Sequence, residues 1–193
     1  MRPVILASTS DMRKQLLLRL LPQVSVMAPD CDETPRAHEY PRDLALRLAI
    51  DKAASLKTQL PDHLIIGSDQ VATLDDQLII GKPMTQEGAI AQLQAASNRI
   101  QTFYTSLCLL NTHTGTMQTD VVVTQVHFRM LSDDLIMRYV TQEDVRYCAG
   151  SFKAESAGIQ LFSRIDSPDP TALLGLPLIR LVDFFIEEGV ALG

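Results

Sequence analysis

Tryptophan is missing from the 193 residues, and four tyrosines and six phenylalanines are the only aromatics. The chain therefore offers no indole on which a flat ring could stack. Long hydrophobic runs are missing too. None approaches the ~20 residues needed to cross a bilayer, which excludes a membrane-spanning helix. The apolar segment after Met1-Arg2-Pro3 is too short for a secretory signal, so a cytoplasmic protein is expected. Cysteine is scarce: Cys31, Cys108 and Cys148 are odd in number, widely spaced and without a CxxC pair. Neither a disulfide framework nor a zinc site is expected from them. Positive charge is in deficit, with 17 Lys and Arg against 23 Asp and Glu, for a net charge of −6. Such a surface repels a polyanion, so nucleic acid is not expected as a partner, and phosphate must be met by a local basic cluster. The four histidines show no ligand spacing.

What is present is an ordinary globular composition, 46% hydrophobic and 21% charged. The length suits one domain over residues 1–193, or two lobes folded around a cleft. The ten prolines are scattered, as turns within one unit would place them. Val4–Ala7 reads as a buried strand and Asp11–Leu20 as a helix capped by Ser10. Val24–Ala28 reads as a short strand. Asp43–Leu60 is the strongest helix, with Leu46, Ala49, Ile50, Ala53 and Leu60 at helical spacing. His63–Leu74 then begins with the run Leu64-Ile65-Ile66 and breaks at Gly67 into polar residues, as a central strand does where it emerges at a site. Asp75-Asp76 suits a turn, and Thr85 caps a helix to about Ala96. Strands Thr102–Asn111 and Met117–Arg129 follow, joined through Thr114-Gly115. Ser132–Thr141 reads as a helix, and Gly158–Ile165 as a strand. A last helix opens at Pro177, carries Leu178, Leu181, Val182 and Phe185, and closes at Gly189. Alternation at the ends with a β-rich middle predicts an α/β (mixed α+β) fold, a mixed sheet flanked by helices.

Six places could carry chemistry. In Ala7-Ser8-Thr9-Ser10-Asp11-Met12-Arg13 a strand ends, hydroxyls follow and a helix begins. Its N-terminus with Arg13 suits an anion, although Ser10 could be a plain cap and Arg13 a surface residue. Lys52 lies between Leu48 and Leu56 beside the apolar stripe, so it must snorkel to water or meet an anion. Gly67-Ser68-Asp69-Gln70 puts a carboxylate where a buried strand ends, either a working group or a turn residue. Lys82, held in Gly81-Lys82-Pro83, and the pair Lys153 and Glu155, on one face if extended, are basic or acidic groups that could equally be solvated. Asp32-Glu33 is an acidic pair that could bind Mg²⁺ or stand exposed.

Taken together these segments resemble the Maf family of nucleoside-triphosphate pyrophosphatases. The resemblance runs from Leu6-Ala7-Ser8-Thr9-Ser10 to Leu174-Gly175-Leu176-Pro177-Leu178. Between them come Asp32-Glu33-Thr34-Pro35, Arg47-Leu48-Ala49, Lys52-Ala53, Ile66-Gly67-Ser68-Asp69-Gln70-Val71, Gly81-Lys82-Pro83 and Ala149-Gly150-Ser151-Phe152-Lys153. Their order and spacing together are specific, although each alone is common. Ser68-Asp69-Gln70 with Lys153 and Glu155 is similar to the YceF-like subgroup, which hydrolyses 7-methyl-GTP. The subgroup acting on dTTP and UTP has Ala-Asp-Thr there instead.

The resemblance implies two lobes around a mixed sheet with a central cleft, as in inosine triphosphate pyrophosphatases, and it allows a homodimer. It implies Asp69 as general base, with Mg²⁺, Mn²⁺ or Co²⁺ as the divalent metal. Ser8, Arg13, Lys52 and Lys82 are expected to meet the phosphates. Met12, Gln70, Lys153 and Glu155 are expected to select the base, and Glu33 to ligate the metal or stand behind it. The family pattern has proline and often arginine where this chain has Asp11 and Met12. It has Ser-Gly where this chain has Ser97-Asn98, and glycine where it has Ser156. Two rival readings stand: a pyrimidine-triphosphate pyrophosphatase, and a non-catalytic nucleotide-binding regulator of cell division.

Overall fold

Consecutive residues of a strand face opposite ways, and this alternation organises the sheet. The computed structural model describes residues 2–76 and 78–192. Among them lie strands β1 (Val4–Ala7), β2 (Ser25–Met27), β3 (Leu64–Leu74), β4 (Leu78–Ile80), β5 (Ile100–Asn111), β6 (Met117–Phe128) and β7 (Phe162–Asp166). The helices are α1 (Asp11–Leu17), α2 (Pro41–Ser55), α3 (Gln86–Ala96), α4 (Asp133–Gln142) and α5 (Leu178–Glu187). The sheet order is β2-β1-β3-β5-β6-β7, with β4 paired to β3 off that path. β1 pairs in parallel with β2 and β3, whereas β3–β4 and β6–β7 are antiparallel. The sheet is therefore mixed, as expected. No helix of the described residues is long and apolar enough to cross a membrane.

The chain packs into two compact units. The first comprises Met1–Gln70, Thr105–Val122 and Asp169–Gly193, and the second Val71–Tyr104 and Val123–Pro168. In the first unit, Leu6, Leu64, Ile66, Leu107 and Leu109 turn one way and are buried with Leu16 and Leu17 of α1 and Leu181, Phe184 and Phe185 of α5. Their strand neighbours Ile5, Ala7, Ile65, Cys108 and Leu110 turn the other way, onto Ala49 and Ala53 of α2. Both faces of this central strand group are thus covered, which explains the unbroken apolar runs. In the second unit Phe103, Phe128, Phe152 and Phe162 meet edge to face, with ring centroids 4.7 to 5.8 Å apart.

Local signals placed most boundaries well. Ser10, Thr85 and Ser132 each accept a backbone N–H of the first helical turn. Four differences have physical reasons. α1 ends at Leu17, so its seven residues give less dipole than a helix to Leu20 would. α2 begins earlier, with Pro41 in its first turn, and its buried face is Leu44, Ala45, Leu48, Ala49, Lys52 and Ala53. β3 fills the expected span to Leu74 but does not break at Gly67, staying regular and nearly all buried through its polar residues. Residues Ala157–Leu161 form a 3₁₀ turn before β7 starts at Phe162.

Candidate active site

Alternation along β3 distributes its polar residues. Asp69 shares the face of Ile65 and Gly67 and looks toward α2, whereas Ser68 and Gln70 share the face of Ile66 and look toward the turn before α5. Gly67 lets α2 come close: a Cβ there would lie 2.0 Å from Ala49 O and 3.0 Å from Ala53 N. One turn further along α2 stands Lys52, only 6% exposed. Its Nζ lies 2.5 Å from Asp69 Oδ1 and 2.9 Å from Glu33 Oε1. The lysine therefore meets anions instead of snorkelling, and a buried charge is paired as its desolvation demands. Asp69 Oδ2 has no hydrogen-bond partner among the described residues. Buried Ser106 holds the Asp69 backbone from β5. Its Oγ accepts from Asp69 N at 3.1 Å, and its hydrogen faces Ala45 O at 2.6 Å and Asp69 O at 3.1 Å.

Glu33 is mostly exposed, and its loop is strapped to α2 by Arg47. The guanidinium forms a fork with Glu39, Nε to Oε1 at 2.6 Å and Nη2 to Oε2 at 2.9 Å. It also donates to Asp32 O at 3.4 Å and Thr34 O at 3.1 Å, the carbonyls on either side of Glu33. Hydrogen bonding from Arg47, then from Arg36 N–H, lowers the Glu39 carboxyl to about 2 from 4.5. A carboxyl depressed in the folded state adds stability above its unfolded value and loses it as pH falls through the folded value. The native protein should therefore lose stability between about pH 4.5 and pH 2 through this group. Glu39→Gln should flatten that decline. Urea unfolding at pH 6 and pH 3 measures it, and equal losses in both proteins would remove Glu39 from the account.

Arg13 approaches from α1, half-buried, its Nε donating to Gly175 O at 2.7 Å. Burial lowers its pKa, while Asp69 and then Glu33 act to raise it, so both carboxylates are within electrostatic reach. Its two Nη groups have no hydrogen-bond partner among the described residues. Ser8 follows β1 where the register sets Ala7 beside Gly67. It is buried, and its Oγ accepts from Ser10 N at 3.1 Å. Met12 is half-buried against the core shared by α1 and α5. Gln70 donates from Nε2 to Thr105, Ala172 and Leu173.

The structure thus gathers Ser8, Arg13, Glu33, Lys52, Asp69 and Gln70 in the first unit. Lys82, Lys153 and Glu155 belong to the second. Lys82 is exposed in the loop before α3. Lys153 and Glu155 do not lie on a strand, because the chain turns at residues 154–156. Lys153 is stapled to α4: its N–H donates to buried Tyr139 at 3.0 Å, and its Nζ is 3.7 Å from Glu143. Glu155 is exposed. Sequence reasoning gave no role to Arg47, Ser106 or Gly175. Only Arg47 left a local trace, an Arg at i before Asp51 at i+4, now an ion pair of 3.3 Å.

The buried cation, the two carboxylates paired to it and the open Nη fork of Arg13 together suit a polyphosphate. Known proteins agree with the architecture. Two solved structures share the fold over 97% of this chain and 100% of theirs: the Ham1 protein of Staphylococcus aureus, with 14% identity and a TM-score of 0.53, and a HAM1 protein from Coxiella burnetii, with 15% and 0.55. A relative from Pseudomonas syringae pv. tomato, named 7-methyl-GTP pyrophosphatase, is 51% identical over 191 residues, 99% of each chain. Residues 3–188 match the Maf-like protein family, and with its segments from Ser8 to Gly175 in the expected order the chain belongs to that family.

Proposed function

We propose that this protein hydrolyses a nucleoside triphosphate to its monophosphate and pyrophosphate, and that 7-methyl-GTP is its preferred substrate, so that it clears modified nucleotides. The observation that carries this reading is Lys52, buried between Asp69 and Glu33 with the free end of Arg13 in reach. The name of the Pseudomonas relative supports the substrate.

In the reaction a water oxygen bonds to the α-phosphorus while its bond to the bridging oxygen breaks. That oxygen leaves with pyrophosphate. Asp69 accepts the proton of the water through the oxygen that Lys52 does not occupy. Lys52 and Arg13 balance charge as it builds on the phosphate oxygens, with Ser8 as a hydrogen-bond partner and Lys82 a further cation. Met12, Gln70, Lys153 and Glu155 select the base.

Mg²⁺, Mn²⁺ or Co²⁺ belongs to the same proposal. Asp69 and Glu33 converge on a single ammonium, and hard carboxylate oxygens suit such cations. Among the described residues no group of three His, Cys, Asp or Glu side chains is gathered. These two carboxylates would hold the ion, and substrate oxygens would complete its shell. When bound, the ion would supply charge neutralisation on the triphosphate. A cytoplasmic setting is also proposed, supported by three free cysteines.

A 7-methylguanine ring carries positive charge and offers N1–H and N2–H donors, which a carboxylate accepts together. Pyrophosphate release should therefore be faster on 7-methyl-GTP than on GTP, UTP or dTTP in a panel with Mg²⁺ and Mn²⁺. Glu155→Gln should erode the preference over GTP by about 10-fold or more, the scale of a charged hydrogen bond, while hydrolysis persists. Native preference for UTP or dTTP would transfer the protein to the pyrimidine reading. Binding without any pyrophosphate release would establish the regulator.

A further inference from the structure

Leu174-Gly175-Leu176-Pro177 takes no part in the reaction as described, yet the turn it closes is where the site's hydrogen bonds converge. A short 3₁₀ helix, Ala172–Leu174, ends at Gly175 with φ of 103°, a conformation strained for any side chain. The carbonyls at such an end keep acceptor capacity that the turn does not fill: Ala172 O takes the Gly175 N–H at 2.9 Å, those of Leu173 and Gly175 take no N–H of the turn, and all three have room for donors from elsewhere. Four side chains supply them. Gly175 O accepts from Ser68 Oγ at 2.9 Å and Arg13 Nε at 2.7 Å. Ala172 O accepts from Thr105 Oγ1 and Gln70 Nε2, each at 3.0 Å, and Leu173 O from Gln70 Nε2 at 3.1 Å.

The polarity of these contacts is fixed by chemistry. A carbonyl cannot donate, so the nitrogen of the Gln70 amide, not its oxygen, must face Ala172 and Leu173. Thr105 has committed its hydrogen to Ala172 and can only accept from Gln70 Nε2, at 2.9 Å. Both amide hydrogens are therefore consumed. Gln70 Oε1, on a half-buried side chain, has no hydrogen-bond partner among the described residues. Arg13 is treated alike: with Nε anchored, its forked Nη end stays free.

We infer that the Ala172–Gly175 turn is a positioning element that makes Gln70 a pure acceptor and holds the Arg13 fork open for an anion. It rests on the pyrophosphatase reading and deepens it. A ligand group seated against Gln70 must be an N–H or O–H donor, as on the donor edge of a guanine, and never a carbonyl.

Two measurements test this. In the unliganded protein, the Gln70 side-chain amide (assigned by its loss in Gln70→Leu) and the Arg13 Nε–H should exchange with water at least about 10-fold slower than exposed counterparts. Exchange at exposed rates would overturn the proposal whatever the activity. The second is a double-mutant cycle read by inhibition with inorganic tripolyphosphate. Gly175→Ala sets a Cβ 3.3 Å from Arg13 Nε, and Arg13→Lys keeps the charge but loses the fork. Each should raise the inhibition constant about 10-fold, and the double variant no further, because Gly175 acts through Arg13. A multiplied effect in the double variant would overturn the positioning role. If Gly175→Ala fails to fold, the exchange data on the native protein decide alone. If Arg13→Lys leaves inhibition unchanged, the phosphate role of Arg13 fails, and the exchange rates still decide the positioning.

Discussion

Asp69→Asn should lower turnover of the preferred triphosphate by about 10²-fold or more, the usual order for losing a general base. Asparagine keeps the shape and can still accept from Lys52, but it cannot take up the proton of an attacking water. The substitution also changes the balance of charge inside the protein. Lys52 would retain only Glu33, whose side chain is 61% exposed, as a charged partner. A loss of about 1–3 kcal/mol in unfolding free energy is expected beside the kinetic loss. The kinetic effect is the diagnostic one, and it should appear at temperatures where the variant is fully folded. Pyrophosphate release at near-native rate by folded Asp69→Asn would mean that another group is the base. Lys52→Met, by contrast, should impair triphosphate binding as well as turnover, because it removes the buried cation and leaves two carboxylates facing the substrate.

The largest effect on folding is expected at Gly67. Its missing side chain lets α2 and β3 touch backbone to backbone, and an alanine Cβ would stand 2.0 Å from Ala49 O. That atom belongs to the helical main chain and cannot swing aside. Gly67→Ala must therefore push α2 away from the strand, at a cost of about 3 kcal/mol or more. The same displacement would draw Lys52 off Asp69, so activity should fall together with stability. Urea unfolding of the variant against the native protein measures the first, and pyrophosphate release the second. A Gly67→Ala protein of native stability would show that the helix has room to move.

How much of this could be read from the sequence follows the range of each interaction. Ser10, Thr85 and Ser132 cap their helices through bonds that reach only three residues along the chain, and such short-range chemistry is legible. Gly67 misled because its backbone stays in the strand. The need for glycine comes from Ala49 and Ala53 in α2, which local patterning cannot see. Lys52 was visible as a cation beside an apolar stripe, but its partners lie 17 and 19 residues away, and only the fold chooses between water and carboxylate. The turn at residues 154–156 replaced an extended segment because Lys153 is tied to Tyr139 and its carbonyl is packed against Gly158. The family resemblance gathered the site residues that periodicity left scattered. It included Arg47 and Gly175 in its segments without giving them a role and left out Ser106, and the work of all three is to hold other groups in place.

The alternation of β3 has a last consequence, for how the strand finds its place. Were β3 to slip by one residue during folding, Asp69 would turn toward Gly175 and its neighbours, setting a carboxylate against carbonyl oxygens. Gln70 would meet Lys52 and leave that ammonium without its buried counter-charge. Apolar residues in Leu64-Ile65-Ile66 could exchange faces with little complaint, since both are covered. The polar pair could not. The working residues of this protein thus add an electrostatic error check on its central strand to the steric one at Gly67, where a slipped side chain would be driven into the backbone of α2.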